Sequence, residues 1–406
     1  MKYPAVSLSP LALSSRCMVV LALLMVFGCS SGPESTPRYD APLPHGSVAL
    51  RPVPPGRHPD LQGAWTNRDG ALVDAINKSL AWYTYPSSAR KFPYRTTIGE
   101  ITHADAQASL ARFSEILQQS RGAVEFEQAI LDEFQVYESV GWDGNGVVLF
   151  TGYYAPDFAA SLVPTDRFQH PVYARPMDLV TDPQDGFPIG QRLPDGSIGT
   201  YPTRREINES NMLAGTEVAW LETALDAYVV HVNGSSRLIL PDGSVKFIGY
   251  AGKTDRPYRG LGGEVVKEGL VSSNDLSLSA IYDLHDQDPR LVEELIDRNE
   301  NFVFFKDYDG SNWPAGSLGV KVTPKRSLAT DKNVYPLGAL CLVDTQGVSV
   351  SGNQVPFRRF MLDQDTGGAI KAPGRADIYM GEGNDAETLA GGQYAEGRLY
   401  YIFLKQ

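Results

Sequence analysis

Apolar positions along this chain follow two regimes, helical spacing in the first third and short strand-like runs after it. Leu72, Ala75, Ile76, Leu80 and Tyr83 share one face at helical spacing. Thr102, followed three residues later by Asp105, reads as a capping box opening a helix that turns Leu110, Phe113 and Leu117 inward. Phe126, Ala129, Ile130, Phe134 and Tyr137 repeat the pattern. The signal then changes. Asp143-Gly-Asn-Gly146 is a turn, and Val147–Thr151 reads as a buried strand. Short strands broken by Gly, Pro and Asp continue to about Gly263, with one brief helix capped by Thr203 and Glu206. Asp288 followed by Pro289 starts another helix, carrying Leu291, Leu295 and Ile296 and ending near Asn299. Phe302 to Leu404 returns to strands and turns, and no long βαβ alternation or internal repeat occurs.

The first sixty residues belong to neither regime. Lys2 and Arg16 precede an apolar run from Met18 to Phe27, which is too short to span a bilayer. The run ends in Val26-Phe-Gly-Cys29, which resembles a bacterial lipobox. That resemblance implies that residues 1–28 are a removable leader and that Cys29 becomes a lipid anchor in a membrane. An ordinary leader with an incidental cysteine is the alternative. Ser30 and Ser31 follow Cys29 with no Asp beside it, which by the same resemblance implies the outer membrane, facing the periplasm. Residues 30–60 contain eight prolines and read as an extended tether. At ~3 Å per residue it reaches roughly 90 Å.

Composition narrows the picture. With 406 residues, 42 % of them hydrophobic, the chain can hold two or three domains with sizeable cores. Its 39 Gly, 28 Pro and 20 Tyr lean toward turn-rich β structure. The formal charge is −12; loss of Lys2 and Arg16 leaves 34 basic against 48 acidic residues, or −14. An acidic chain without a basic run argues against nucleic acid as partner. Only Cys29 and Cys341 survive removal of the leader, so no disulfide framework exists.

Most motifs fall away. The six His lack ligand spacing, so no metal site is expected. Asp307-Tyr-Asp-Gly310 begins like a calcium loop but lacks the later ligands, and no Gly-x-Ser-x-Gly elbow occurs. Asp365-Thr-Gly367 matches the aspartic-protease signature, but that chemistry needs two such carboxylates and the motif occurs once.

The informative stretch is Phe360 to Gly381, which holds Asp363, Asp365 and Asp377. Asp363 and Asp365, two apart, share a face if they lie on a strand. Gly367-Gly368 and Pro373-Gly374 turn the chain, which can return Asp377 to that side. A carboxyl held in an apolar pocket keeps its proton and serves as a general acid. Equally, the three can cap turns and pair with Lys371 and Arg375. Spacing leaves both readings open.

Asp365-Thr-Gly-Gly-Ala-Ile-Lys371 with Arg375-Ala-Asp-Ile-Tyr-Met-Gly381 resembles the C-terminal motif of the membrane-bound lytic transglycosylase A family. A third family aspartate corresponds to Asp331, in Arg326-Ser-Leu-Ala-Thr-Asp331. Upstream, Thr151-Gly-Tyr-Tyr-Ala-Pro156, Pro171-Val-Tyr-Ala-Arg-Pro176, Tyr201-Pro-Thr-Arg-Arg-Glu-Ile207, Gly249-Tyr-Ala-Gly-Lys253 and Asn301-Phe-Val-Phe-Phe305 also match, in family order. Two segments depart from it. Asn233-Gly-Ser-Ser236 stands for Gln-Gly-Ser-Gly, and Thr254-Asp255-Arg256 stands where Asn-Gly is usual.

The resemblance implies a mainly β fold, a double-psi β-barrel with N-terminal helices (residues 61–159 and 301–406) and a second β domain (160–300) inserted into it. It implies a lytic transglycosylase acting on peptidoglycan glycan strands without metal or cofactor. Asp377 would be the acid, Asp365 would tune it, and Asp331 would support both. Thr151, Tyr153, Tyr154, Asn233, Ser235 and Lys371 would meet the glycan, although adjacent Tyr153 and Tyr154 face opposite ways on a strand. A non-catalytic wall-binding lipoprotein and a conventional glycan hydrolase are the alternatives.

Overall fold

The computed structural model describes residues 37–183, 186–272, 275–368 and 370–406, so the leader and Cys29 lie outside the described residues. Order begins earlier than the tether reading expects. A short strand, β1 (Leu50–Pro52), pairs with β2 (Phe134–Ser139), and Ala49, Leu50 and Val53 are buried in the main core. As an edge strand, β1 tolerates Pro52, whose missing N–H breaks no ladder.

The helices α1 (Gly70–Tyr83), α2 (His103–Gln119) and α3 (Ala123–Glu133) follow the predicted spacing. Thr102 and Asp105 form the capping box, and Leu110, Phe113 and Leu117 are buried. The helical pattern overshoots at one end. α3 stops at Glu133, and Phe134 and Tyr137 lie in β2, which pairs with the C-terminal strand. Cross-strand pairing there overrides the local spacing.

Strand β3 (Val148–Ala155) carries the chain into a second sheet of six strands: β4 (Asp157–Ser161), β5 (His170–Tyr173), β6 (Glu217–Leu221), β7 (Ser235–Ile239), β8 (Val245–Lys253) and β9 (Val303–Tyr308). Their order is β9-β8-β7-β4-β6-β5, and a bridge from Ala174 to Phe305 brings the two ends together. Since β4 and β9 belong to this sheet, it reaches past the boundaries expected at residues 160 and 300.

Helices α4 (Arg204–Ser210), α5 (Ala224–Asn233), α6 (Leu261–Lys267), α7 (Leu278–Gln287) and α8 (Pro289–Asp297) accompany the second sheet. α4 and α8 carry the predicted caps, Thr203 with Glu206 and Asp288 with Pro289. α5 lies where strands are expected, because Tyr228-Val-Val230 favours a strand in isolation. Its ends decide otherwise. Thr223 accepts from the Asp226 N–H at 3.0 Å, and Gly234 closes the helix at φ +71°. Leu225, Tyr228 and Val229 then pack with Val265, Val292 and Leu295 in a separate apolar cluster.

The chain returns through β10 (Ser327–Ala329), β11 (Leu340–Val348), β12 (Gln354–Asp365), β13 (Arg375–Glu382), α9 (Gly383–Gly392) and β14 (Tyr394–Leu404). The pairings β14-β11-β12-β10-β13-β3 close into a ring, because β3 also pairs with the start of β14. Two pairs are parallel, β10 with β12 and β13 with β3. The result is a six-stranded ring of mixed parallel and antiparallel pairs, in keeping with the expected barrel, and helices in all occupy nearly as much of the chain as strands.

α9 lies so close to β3 that a Cβ at Gly152 would stand 2.8 Å from Ala390 Cα. Buried polar side chains tie the N-terminal helices to the barrel. Arg326, wholly buried, pairs with Asp69 at 3.0 Å and donates to the Phe360 carbonyl at 2.8 Å. Gln364 donates to the Ala75 carbonyl at 2.8 Å and to Ser79 Oγ at 3.0 Å.

Candidate active site

Barrel topology assembles the site from strands distant in sequence. Parallel pairing sets Asp377 of β13 opposite Thr151 of β3, and antiparallel pairing sets it opposite Ala329 of β10. Thr151 and Tyr153 are two apart on β3 and so face the same way. Thr151 lies close enough to Asp377 to favour its charged form, and the Tyr153 hydroxyl donates to Asp365 Oδ2 at 2.7 Å. One strand therefore serves both carboxylates.

The two carboxylates sit in unlike surroundings. Asp365 Oδ1 accepts backbone N–H groups from Ser317 at 2.9 Å and Thr366 at 2.8 Å, while Oδ2 takes the Tyr153 hydroxyl. Burial raises its pKa, and these three donors with nearby Lys332 oppose the rise. Asp377 differs. Its Oδ1 is buried and accepts no hydrogen bond from the described residues. Burial pushes the Asp377 carboxyl up to about 6, Arg375 and Thr151 pull it back, and the charge of Asp365 adds to the rise. Both carboxyls are thus raised by burial, but three donors favour the charged form of Asp365, whereas Asp377 keeps one oxygen without a donor.

Asp331 stands apart from this pair. Its Oδ1 accepts from Asn333 N at 3.0 Å and Nδ2 at 2.9 Å, and Oδ2 accepts from Ala372 N at 2.8 Å. It fastens its own turn to the loop preceding β13, where Ala372 holds φ +63°. Asp363 is wholly buried beneath the Asp365 corner. It pairs with Lys332 and accepts from Thr330 Oγ1 at 2.8 Å and the Tyr401 hydroxyl at 2.6 Å. Thr330 in turn accepts from Thr366 Oγ1 at 2.8 Å, so this cluster props the corner that carries Asp365. Asp363 stands out in the sequence only by its nearness to Asp365, and nothing there pairs it with Lys332. Tyr401, from the last strand, had none.

The candidate glycan contacts divide. Thr151 and Tyr153 touch the aspartates, whereas Tyr154 points into the main core at 7 % exposure, which removes it from the groove. Asn233 closes α5 and donates its amide to the Val229 carbonyl at 2.9 Å. Ser235 opens β7 opposite Gly249. Among the described residues neither side chain bonds the aspartates. Lys371 is exposed on the loop between β12 and β13.

Tyr258, which the sequence reading left without a role, lies near enough to Arg375 to feel its charge. A seam of rings, Tyr153, Tyr379, Trp313, Phe247 and Tyr308, joins the barrel to the second sheet. Trp313 Nε1 donates to the Ile248 carbonyl at 2.8 Å across that seam. A cleft of about 700 Å³ on the second sheet, lined in part by Arg175, Glu217 and Lys306, contains none of the aspartates. Among the described residues no cluster of His, Cys, Asp and Glu could hold a metal ion.

Comparison with known proteins agrees with this architecture. Residues 149–306 match the MltA specific insert domain and residues 326–403 the 3D domain. Membrane-bound lytic murein transglycosylase A of Vibrio cholerae is 30 % identical over 286 residues, 69 % of this chain and 72 % of the relative. The Escherichia coli K12 protein is 31 % identical over 272 residues, 66 % of this chain and 68 % of the relative. Among solved structures, the membrane-bound lytic murein transglycosylase of Agrobacterium tumefaciens superposes with TM-score 0.72 at 26 % identity, covering 88 % of this chain and 98 % of the other. E. coli MltA with bound chitohexaose shares the fold, with TM-score 0.68 at 22 % identity over 92 % of this chain and all of the other. Both halves of the molecule, the barrel and the sheet inserted into it, therefore have their counterparts in one group of proteins, and the chain belongs to the membrane-bound lytic murein transglycosylase A family.

Proposed function

We propose that this chain cuts the β-1,4 bond between N-acetylmuramic acid and N-acetylglucosamine in peptidoglycan with Asp377 as its single acid and base. The observation that carries the reading is the unequal setting of two neighbouring carboxylates. Asp365 is saturated with donors, while Asp377 keeps an uncommitted Oδ1 and a pKa of about 6. A general acid works best with a pKa near the operating pH.

Glycosidases that use water or a covalent intermediate need two working carboxylates, one on each side of the bond. Asp365 is poorly suited to be the second, because both of its oxygens already accept hydrogen bonds. An internal nucleophile removes the need. Asp377 protonates the leaving glycosidic oxygen, and the C6 hydroxyl of the muramic residue attacks its own C1. The Asp377 carboxylate then takes the hydroxyl proton, leaving a 1,6-anhydromuramyl end and regenerating the acid. Tethering the hydroxyl to the reacting ring gives the proximity advantage of an intramolecular step.

Asp365 acts as a positioning residue whose negative charge helps Asp377 retain its proton. Thr151 and Arg375 orient Asp377, and the loop bearing Lys371 borders the glycan, with Asn233 and Ser235 on the inserted side. E. coli MltA has been solved with chitohexaose bound, in keeping with an oligosaccharide ligand. Lipidation at Cys29 would hold the enzyme at the outer membrane, facing the wall.

Digestion of purified peptidoglycan by residues 30–406, followed by mass spectrometry, tests the reading. Fragments one water lighter than hydrolysis products, lacking a reducible end, are expected. Asp377→Asn should lose at least about 10³-fold in kcat. Reducible ends would instead identify a hydrolase, and binding without fragments a wall-binding protein.

A further inference from the structure

Lys253 and Lys371 meet where the inserted sheet comes against the barrel. Lys253 ends β8, and Lys371 lies on the loop that leaves Asp365 and leads to Asp377. The Lys253 ammonium rests against this loop, for a Cβ built at Gly368 would stand 3.3 Å from Nζ. Lys253 is half-buried, and neither lysine has a hydrogen bond or ion pair among the described residues. Burial lowers the Lys253 pKa, and the like charge of Lys371 lowers it further.

This local excess of positive charge stands out in a chain of net charge −12. Arg237 and Arg298, also half-buried, have carboxylate partners in Asp157 and Glu264. Two ammonium groups without a carboxylate partner among the described residues, one at the end of β8 and one on the loop between Asp365 and Asp377, make a place for an anion. A negative group bridging them would relieve their repulsion and replace the water that burial removes from Lys253.

We infer that Lys253 and Lys371 form a carboxylate-binding subsite that recognises the acidic substituent of the muramic acid residue. This rests on the glycan-cutting reading above. Muramic acid differs from its partner sugar by a lactyl ether, which ends in a free carboxylate or continues into a peptide that carries carboxylates. Both sources present the same chemistry. A neutral amino-sugar chain presents neither, so the subsite sets which strands are cut efficiently.

The test compares kcat/KM on three glycans: strands with peptide stems, strands stripped of peptide with free lactyl carboxylates, and stripped strands whose carboxylates have been converted to amides. The wild-type preference for carboxylate over amide should fall about tenfold in Lys253→Gln, mainly through KM, and further with Lys371→Gln added. Lys253→Arg should restore part of it. Loss confined to peptide-bearing strands would assign the carboxylate to the stem; loss on the free-lactyl strands would assign it to the lactyl group. An unchanged preference, or an equal loss on the amidated glycan, would overturn the inference. Should Lys253→Gln melt early, Lys371→Gln on the exposed loop gives the same comparison. Product masses in the wild-type digests separate this question from the first, since missing anhydro ends would count against the reaction rather than the subsite.

Discussion

The barrel and the inserted sheet are both built from six strands, yet they are held in different ways. The barrel shares one large core with the N-terminal helices and is crossed by buried polar ties, Arg326 to Asp69, Gln364 to Ser79, and Lys332 to Asp363. The inserted region relies on several smaller apolar clusters, and its Leu179–Gly199 hairpins leave Ile189, Leu193 and Ile198 exposed. Over-determined packing suits the side that must hold two carboxylates in fixed and different surroundings. The looser side supplies contacts along a polymer, where small adjustments cost little.

Two buried arginines test that contrast. Arg326 of the barrel has a carboxylate partner in Asp69 at the head of α1, whereas Arg204 in the inserted region donates to the carbonyls of Asn299 at 3.0 Å and Asn301 at 2.6 Å and touches His231. Arg326→Met strands Asp69 and the Phe360 carbonyl, and should cost about 2–4 kcal/mol. Arg204→Met also removes a buried cation that lacks a directly bonded carboxylate, and should cost about 1–2 kcal/mol. Urea unfolding of both variants measures the difference. Equal costs would mean that the two regions are held alike.

The next effect links stability to catalysis. Asp377 has a folded pKa of about 6 against an ordinary 3.8, so the folded state binds the proton more tightly than the unfolded state. Ionisation therefore works against folding as pH rises from about 4 through 6, and the cost is complete above that window. Asp377→Asn carries no such cost. It should be more stable than the wild type at pH 8, by on the order of 1–3 kcal/mol, with the advantage vanishing near pH 4. A gain that did not vary with pH would refute burial of the carboxyl as its source.

How much of this was legible in the sequence follows the same division. Asp365 and Asp377 could be found because they fall within one short stretch, and Val147–Thr151 reads as a strand from its apolar run. Capping boxes at Thr102 and Thr203 located their helices, since a cap is a local bond. Tyr154 was misplaced because alternation says that one of two adjacent tyrosines is inward without saying which. Phe134 was read as helix and α5 as strand because pairing partners and helix-end bonds outweighed local pattern there. The Lys332-Asp363-Tyr401 cluster draws on three separated segments, so only the closed barrel brings it together.

Two smaller effects should appear in pH profiles. The protonated form of Asp377 is the acid, so kcat/KM should fall about tenfold per pH unit above roughly 6. The charge of Asp365 supports that high value, so Asp365→Asn should move the falling limb to lower pH, provided turnover survives. A limb that stayed in place would show that the two carboxylates do not act on one another.

Thr151→Val gives the smallest and most specific change. The hydroxyl favours the charged form of Asp377, so its loss should raise the Asp377 pKa and shift the falling limb to higher pH. The two side chains are nearly the same size, and Thr151 keeps its place in the ladder opposite Asp377 through backbone bonds that the substitution leaves alone. The shift should be a few tenths of a pH unit, about the effect of one neutral hydrogen bond on a partly solvated carboxyl. Its direction is the informative part. Asp365→Asn and Thr151→Val push the same limb in opposite senses, one by removing a like charge and the other by removing a donor. If both moved it the same way, the titrating group would lie elsewhere in the barrel, and Asp377 would lose its claim to be the acid.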